Sequence, residues 1–211
     1  MHNHADNLEL DFDGNTDTDI LTDEYYDGAR FHSIDFTEDK LADRSFEKCT
    51  FISCHFREIP LNRTVFCSCV FIECEIVLTK LNAITLNGVE FQSCKIMGVN
   101  FTDCNDFGFS PEFTKCIVNS SSFYGKSLRK RKFTGCRLID CDFTNCDIRE
   151  ADYSDTTFEK VIFHNCNLEK ADFRTSHGYA IDPFTNKIKK ARFTLPEAQS
   201  FLSFIGVSIE D

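Results

Sequence analysis

The sequence predicts an all-β solenoid, a chain wound many times around one apolar axis. Three observations predict it. Large apolar residues recur at every fifth position over most of the chain. A small residue, most often Cys, stands two places before most of them. Cysteines repeat at intervals of 20 residues, four of the five-residue units.

The five-residue frame starts at Phe31 and runs through Phe36, Leu41, Phe46 and onward to Phe101, fifteen large apolar residues in succession. The next step lands on Asp106. The pattern then resumes two residues out of phase at Phe113 and holds for thirteen units to Phe173, with Phe193 a further twenty residues on. A period of five suits neither a helix nor a plain strand. In the slot two places earlier stand Cys49, Cys54, Cys69, Cys74, Cys94, Cys116, Cys136, Cys141, Cys146 and Cys166. Positions two apart on an extended segment share a face, so the small and the large residue both point to the axis. The unit is clearest in Cys-Asp-Phe at 141–143 and Ala-Asp-Phe at 171–173. Cys54, Cys74 and Cys94 are spaced by 20; Cys94 and Cys116 are 22 apart, one coil plus the two-residue slip.

These units resemble the pentapeptide-repeat family, whose consensus is a small residue, Asp or Asn, Leu or Phe, and two polar residues. The resemblance implies a right-handed quadrilateral β-helix with four units per coil. Twenty-eight units then make about seven coils, a rod about 34 Å long at the strand spacing. The cysteines read as small core residues, with Cys67 alone pointing outward, because free Cys is among the most buried residue types. A five-residue spacing sends neighbouring thiols to different walls, so zinc ligation is not expected.

Charge divides the chain. The formal net charge is −11, and residues 1–27 supply nine acids and no base, leaving the remainder at −2. Residues 1–27 therefore read as an acidic, disordered tail, 28–173 as the β-helix with a frame slip at 102–112, and 174–211 as a C-terminal cap and dimerisation segment. The N-terminus shows no basic region followed by an apolar run, and no stretch has the roughly 20 apolar residues of a membrane helix. A cytoplasmic protein without membrane contact is expected.

Two irregularities stand out. At the slip, Asn105, Asp106, Phe107, Gly108, Phe109 and Ser110 read as a loop leaving the wall, a candidate partner-binding loop. Phe107 and Phe109 either project from it or fold back to plug the gap. The second is Lys126, Arg129, Lys130, Arg131 and Lys132, five bases in seven residues. Lys126 and Arg131 fall in the inward small slot, where a charge is costly, so this basic segment is expected to protrude as a loop or to distort its coil. It would suit an acidic surface or nucleic acid.

After Phe173, Thr194 and Glu197 read as a capping box opening a short helix. Ala198, Phe201, Leu202 and Ile205 follow helical spacing, Gly206 stops it, and Val207 to Ile209 form a final strand. The family resemblance implies an end-to-end homodimer through this region, with Phe201, Phe204, Ile205, Val207 and Ile209 as the dimer segment.

No nucleophile elbow, phosphate loop, dinucleotide fingerprint or paired-carboxylate pattern occurs. A non-catalytic protein without cofactor, metal or small-molecule substrate is expected. Ile181-Asp182-Pro183, Lys187-Ile188, Leu195-Pro196-Glu197-Ala198 and Ile205-Gly206-Val207 are similar to the branch that protects type II DNA topoisomerases, including quinolone-resistance and microcin-immunity proteins. That resemblance implies binding to DNA gyrase or topoisomerase IV and an acidic, DNA-mimicking rod face. A binding scaffold of another class, an effector or regulatory adaptor, is the alternative.

Overall fold

The computed structural model describes residues 11–13, 21–36 and 41–207. The chain forms a quadrilateral β-helix. Wall one holds the strands Tyr25–Asp27, Ser45–Glu47, Val65–Cys67 and Thr85–Asn87. Wall two is a seven-stranded parallel ladder from Asp11–Asp13 through Arg30–His32 to Phe133–Thr134. Wall three is a second such ladder, from Asp35–Phe36 to Thr157–Glu159. Wall four is joined by isolated parallel bridges, among them Asn100 to Ser122 and Ser122 to Asp142. The register is one coil: Phe31 pairs with Phe51 and Phe51 with Phe71.

The walls change character along the rod, and the residue before the large one contributes to it. Where this is Thr50, Val70 or Glu90, a three-residue strand forms. Where it is Asp142, Asp152 or Asp172, the carboxylate accepts the N–H of the residue two places on, from Thr144, Ser154 and Arg174 at 2.8, 2.9 and 3.2 Å. An Asx turn then competes with the extended ladder, and these units pair through single bridges. Corners close on left-handed residues every five positions, such as Ser53, Ser68 and Ser93 with φ of 51°, 53° and 55°.

The core is a set of ring columns. On wall two, Phe12, Phe31, Phe51, Phe71, Phe91, Phe113, Phe133, Tyr153, Phe173 and Phe193 stack with successive centroids 4.7 to 5.4 Å apart. The column crosses the frame slip intact, because Phe91 meets Phe113 at 5.2 Å. Offset or stacked aromatic pairs contribute beyond the area they bury. The buried Tyr153 hydroxyl has no hydrogen-bond partner among the described residues. Tyr153→Phe therefore removes an unpaired polar group, and a gain of about 1 kcal/mol is expected in chemical denaturation.

The small slot does more than save space. Most small residues capable of donating reach a carbonyl of the coil before: Cys69 Sγ to Phe46 O at 3.2 Å, Thr64 Oγ1 to Leu41 O at 2.7 Å, and Ser176 Oγ to Tyr153 O at 2.8 Å. Cys, Thr and Ser thus share one slot because each is small and each can donate. All twelve cysteines are free, eleven buried and Cys67 half-buried. Burial pushes the thiols of Cys141 and Cys166 up to about 11. Native alkylation followed by mass spectrometry should give one adduct, at Cys67, and twelve in denaturant; several native adducts would mean that the coils open readily.

The repeat extends beyond both expected ends. Tyr26 and Leu21 continue the frame inward at 2% and 8% exposure, and Phe12 stacks on Phe31. Residues 11–13 and 21–27 therefore belong to the solenoid and not to a disordered tail. Their acids, such as Asp11 and Asp27, occupy outward positions beside inward rings. Residues 1–10 and 14–20 of the expected tail lie outside the described residues.

At the far end the frame tightens: Ile181 pairs with Phe163, eighteen residues back. Gly178 takes the in-frame position under Phe158 with φ +77°, where a Cβ would lie 2.3 Å from the Phe158 carbonyl oxygen. Tyr179 supplies the ring instead, packing on Phe173 at 5.6 Å.

The expected capping box does not form. The Thr194 hydroxyl donates to the carbonyl of Arg174, and Glu197 pairs with His177 at 2.9 Å. Both residues serve contacts with the preceding coil, so the helix Ser200–Ser203 follows a 3-10 turn, Glu197–Gln199, with no side-chain cap. Gly206 ends it with φ +74°. Residues 208–211, including Ile209 and most of the expected final strand, lie outside the described residues.

Candidate partner-binding loop and its anchor

The two extra residues are accommodated between Asn105 and Ser110. Asn105 N–H still donates to Ile84 O at 2.8 Å, an offset of 21, whereas Glu112 N–H donates to Val89 O at 2.9 Å, an offset of 23. The entry is tied down by Asn105 Nδ2, which donates to Ala83 O at 2.9 Å. The exit is tied down by Ser110, whose N–H donates to Leu86 O at 2.8 Å and whose hydroxyl accepts Gly88 N–H at 2.7 Å. Gly108 turns the chain with φ +75°.

The two rings of the loop part company. Phe109 folds inward to 8% exposure and meets Phe101 edge-on at 6.5 Å. It fills the inward space that the frame assigns to Asp106. Phe107 points outward at 93% exposure. Each of the two expectations for these rings holds for one of them.

The basic segment is neither a loop nor a distortion. Leu128 N–H donates to Asp147 O at 2.8 Å and Lys130 N–H to Arg149 O at 2.9 Å, so residues 126–132 keep the ladder register on wall one and its corner. The expected protrusion fails because both inward-slot charges find partners. Arg131 stays half-buried, with Nε donating to Arg129 O at 3.2 Å and a guanidinium nitrogen 3.7 Å from Glu112. Lys126 is 4% exposed, and its Nζ donates to Cys104 O at 2.7 Å and to Asp106 Oδ1 at 2.6 Å. The ammonium also lies 5.2 Å from the centre of the Phe109 ring, within cation–π range.

The two irregularities of the sequence are therefore one site. Asp106 leaves the large slot, the chain bulges, and the space admits the ammonium of Lys126 from the next coil. The signal was present: Asp106 and Lys126 are 20 residues apart, one coil, with an acid out of place above a base out of place. The pair joins residues across coils, not along the chain.

At the C-terminal end Phe201 meets Phe193 edge-on at 4.8 Å and is half-buried, so it closes the core. Phe204, Ile205 and Val207 face outward, as does Leu195.

The walls do not carry the acidic face that DNA mimicry implies. On wall three Glu75 lies between His55 and Lys95 in the outward column, and Arg57 pairs with it at 2.5 Å. On wall four the outward positions run Pro60, Lys80, Asn100, Ser122 and Asp142. Among the described residues no wall is acidic from end to end. No helix among them is long and apolar enough to cross a membrane.

No curated protein matches the chain by sequence. Among solved structures, a trypsin-treated variant of QnrB1, a plasmid-mediated fluoroquinolone resistance protein, superposes with a TM-score of 0.70 at 17% identity, covering 95% of this chain and 96% of that one. A second trypsin-treated QnrB1 variant gives 0.68 at 14% identity, covering 89% and 100%. HetL, a pentapeptide-repeat protein of the cyanobacterium Nostoc sp. strain PCC 7120 involved in the regulation of heterocyst differentiation, gives 0.34 at 12% identity, covering 79% and 86%. The family model for a pentapeptide repeat region matches residues 44–106 and 109–173, breaking within the loop that carries Phe107. With its stacked five-residue units and this family match, the chain belongs to the pentapeptide-repeat family.

Proposed function

We propose that this protein is a non-catalytic binding rod that engages a type II DNA topoisomerase, gyrase or topoisomerase IV, in the cytoplasm and protects it from inhibitors such as quinolones. The observation that carries the reading is the anchored loop. Phe107 is 93% exposed, yet the loop beneath it is held by the buried Lys126. A fully exposed ring on a fixed support has the form of a binding anchor, since interfaces concentrate energy in a few aromatic residues and preorganisation lowers the cost of binding. The shared fold with a fluoroquinolone resistance protein supports the class of partner. The exposed Phe204, Ile205 and Val207 support a homodimer joined end to end at the C-terminus.

The test is a gyrase supercoiling assay with a fluoroquinolone, with and without the purified protein. Restored supercoiling near stoichiometric protein supports the reading. Phe107→Ala should leave folding unchanged and raise the protective concentration about 30-fold, the effect of losing an anchor of about 2 kcal/mol. No rescue and no inhibition at any concentration would sink it. The mixed charge of the walls favours the second reading, a scaffold for a partner of another class, which predicts no effect on gyrase and capture of a different protein through the same loop.

A further inference from the structure

We propose that the edge between walls one and two, over the last four coils, is a docking surface for the phosphate backbone of duplex DNA. Residues 127–132, 147–152, 167–172 and 187–192 stack as four rungs of this edge. They hold ten basic and five acidic residues, net +5. The corresponding rungs of the first coils, 25–30, 45–50, 65–70 and 85–90, hold two basic and three acidic residues, net −1. The bases therefore segregate to one end of one edge of a body that is nearly neutral.

Depth sharpens the separation. Of the ten bases, all but Arg131 and Arg149 are exposed, whereas none of the five acids is. The acids lie beneath the bases and orient them. Asp172, 7% exposed, binds Arg174 and Arg192 at 2.9 and 2.7 Å, and the hydrogen bonds from Arg174 hold its carboxyl below the usual range. Glu150 holds Arg129 at 2.9 Å. Lys187, Lys189 and Lys190 make no ion pair among the described residues. The outermost layer of charge is positive, on a straight line of rungs about 4.8 Å apart.

The chemistry of the patch selects its partner. No large apolar side chain is exposed on these four rungs. A protein interface would need such anchors at its centre, and single-stranded nucleic acid would need aromatic platforms for its bases. A row of cations without either suits a regular array of phosphates, whose binding is driven by counterion release and is indifferent to sequence. The acids of the first coil, such as Asp23, Glu24 and Asp27, lie at the other end of the rod, several Debye lengths of about 8 Å away at physiological salt. This inference stands apart from the topoisomerase reading by its ligand and its residues: the patch begins one coil beyond the Phe107 loop and does not include it.

The experiment is fluorescence anisotropy of a labelled 20-base-pair duplex titrated with the full chain at a series of salt concentrations. The edge variant is Lys187→Glu, Lys189→Glu, Lys190→Glu. The control is Lys95→Glu, Arg137→Glu, Lys160→Glu, an equal charge change on wall three and its corner. Circular dichroism confirms that both retain the fold. The edge variant should bind at least tenfold more weakly and lose about 3 from the salt slope, close to one per cation removed, while the control changes affinity by less than threefold. Absence of binding at 50 mM salt would overturn the proposal, as would equal losses in the two variants. So would equal competition from a single strand or from an acidic peptide of residues 1–20, which would make the edge a general anion or protein surface. Phe107→Ala should leave DNA binding unchanged, which separates this outcome from failure of the loop reading.

Discussion

Phe133→Ala is expected to destabilise the protein by about 3–5 kcal/mol. Phe133 is fully buried. Its ring stacks on Phe113 at 4.7 Å and Tyr153 at 5.2 Å, and meets Phe123 and Phe143 edge-on at 5.6 and 5.7 Å. In a globular core, neighbours can move part of the way into a cavity. Here the rings above and below are held one coil apart by the backbone ladder, including Phe113 N–H to Lys132 O and Phe133 N–H to Asp152 O, both 2.8 Å. The space therefore stays open, and the cost falls at the upper end of the range. Because each coil touches only its neighbours, the defect should also split the rod into two weakly coupled stacks. Thermal unfolding should show a midpoint lower by roughly 10 °C and a broader or two-stage transition. A midpoint within a few degrees of the parent would mean that the walls can collapse around a missing ring.

Lys126→Met comes second. Methionine fills the slot with a similar stem and removes the donor. The buried carbonyl of Cys104 loses its 2.7 Å partner, which costs about 1–3 kcal/mol. Asp106, 88% exposed at its side chain, returns to water, so its lost ion pair adds little. The consequence is local: the loop from Asn105 to Ser110 loses the cation that ties it to the next coil. Chymotrypsin should cut after Phe107 on the order of 10-fold faster, since cleavage of a transiently opened segment follows its open population. Amide exchange should rise at 105–110 and stay unchanged at Phe133. If topoisomerase protection depends on a positioned Phe107, it should weaken as well, although Phe107 itself is untouched. Unchanged cleavage and exchange would show that Asn105 and Ser110 hold the loop unaided.

The fold was legible because its repeat is short and its demands are uniform. A five-residue unit with one large inward residue recurs on every wall, so each hit reinforces the same frame, and the 20-residue cysteine spacing agrees with the four-unit coil that the family resemblance implies. What misled was charge. The nine acids of residues 1–27 suggested disorder, although Leu21 and Tyr26 keep the frame and Phe12 stacks on Phe31. In a solenoid, outward positions tolerate any polar residue, so net charge says little where the inward residues remain large. The same error produced the expected basic loop: Lys126 and Arg131 violate the slot in sequence, yet each reaches a partner in space.

Local motifs also gave way to coil stacking. Thr194 and Glu197 have capping-box spacing, but Arg174 and His177 lie beside them on the coil before and take both side chains. By itself, then, the sequence determined the five-residue unit, the inward residues and the place of the slip, since these depend on periodicity alone. Tertiary structure decided which of Phe107 and Phe109 turned outward, that Lys126 and Asp106 form one anchor, and that ten bases from four separate segments share one edge. Each of these pairs residues about one coil apart, and only the stacking of coils brings such residues within reach of one another.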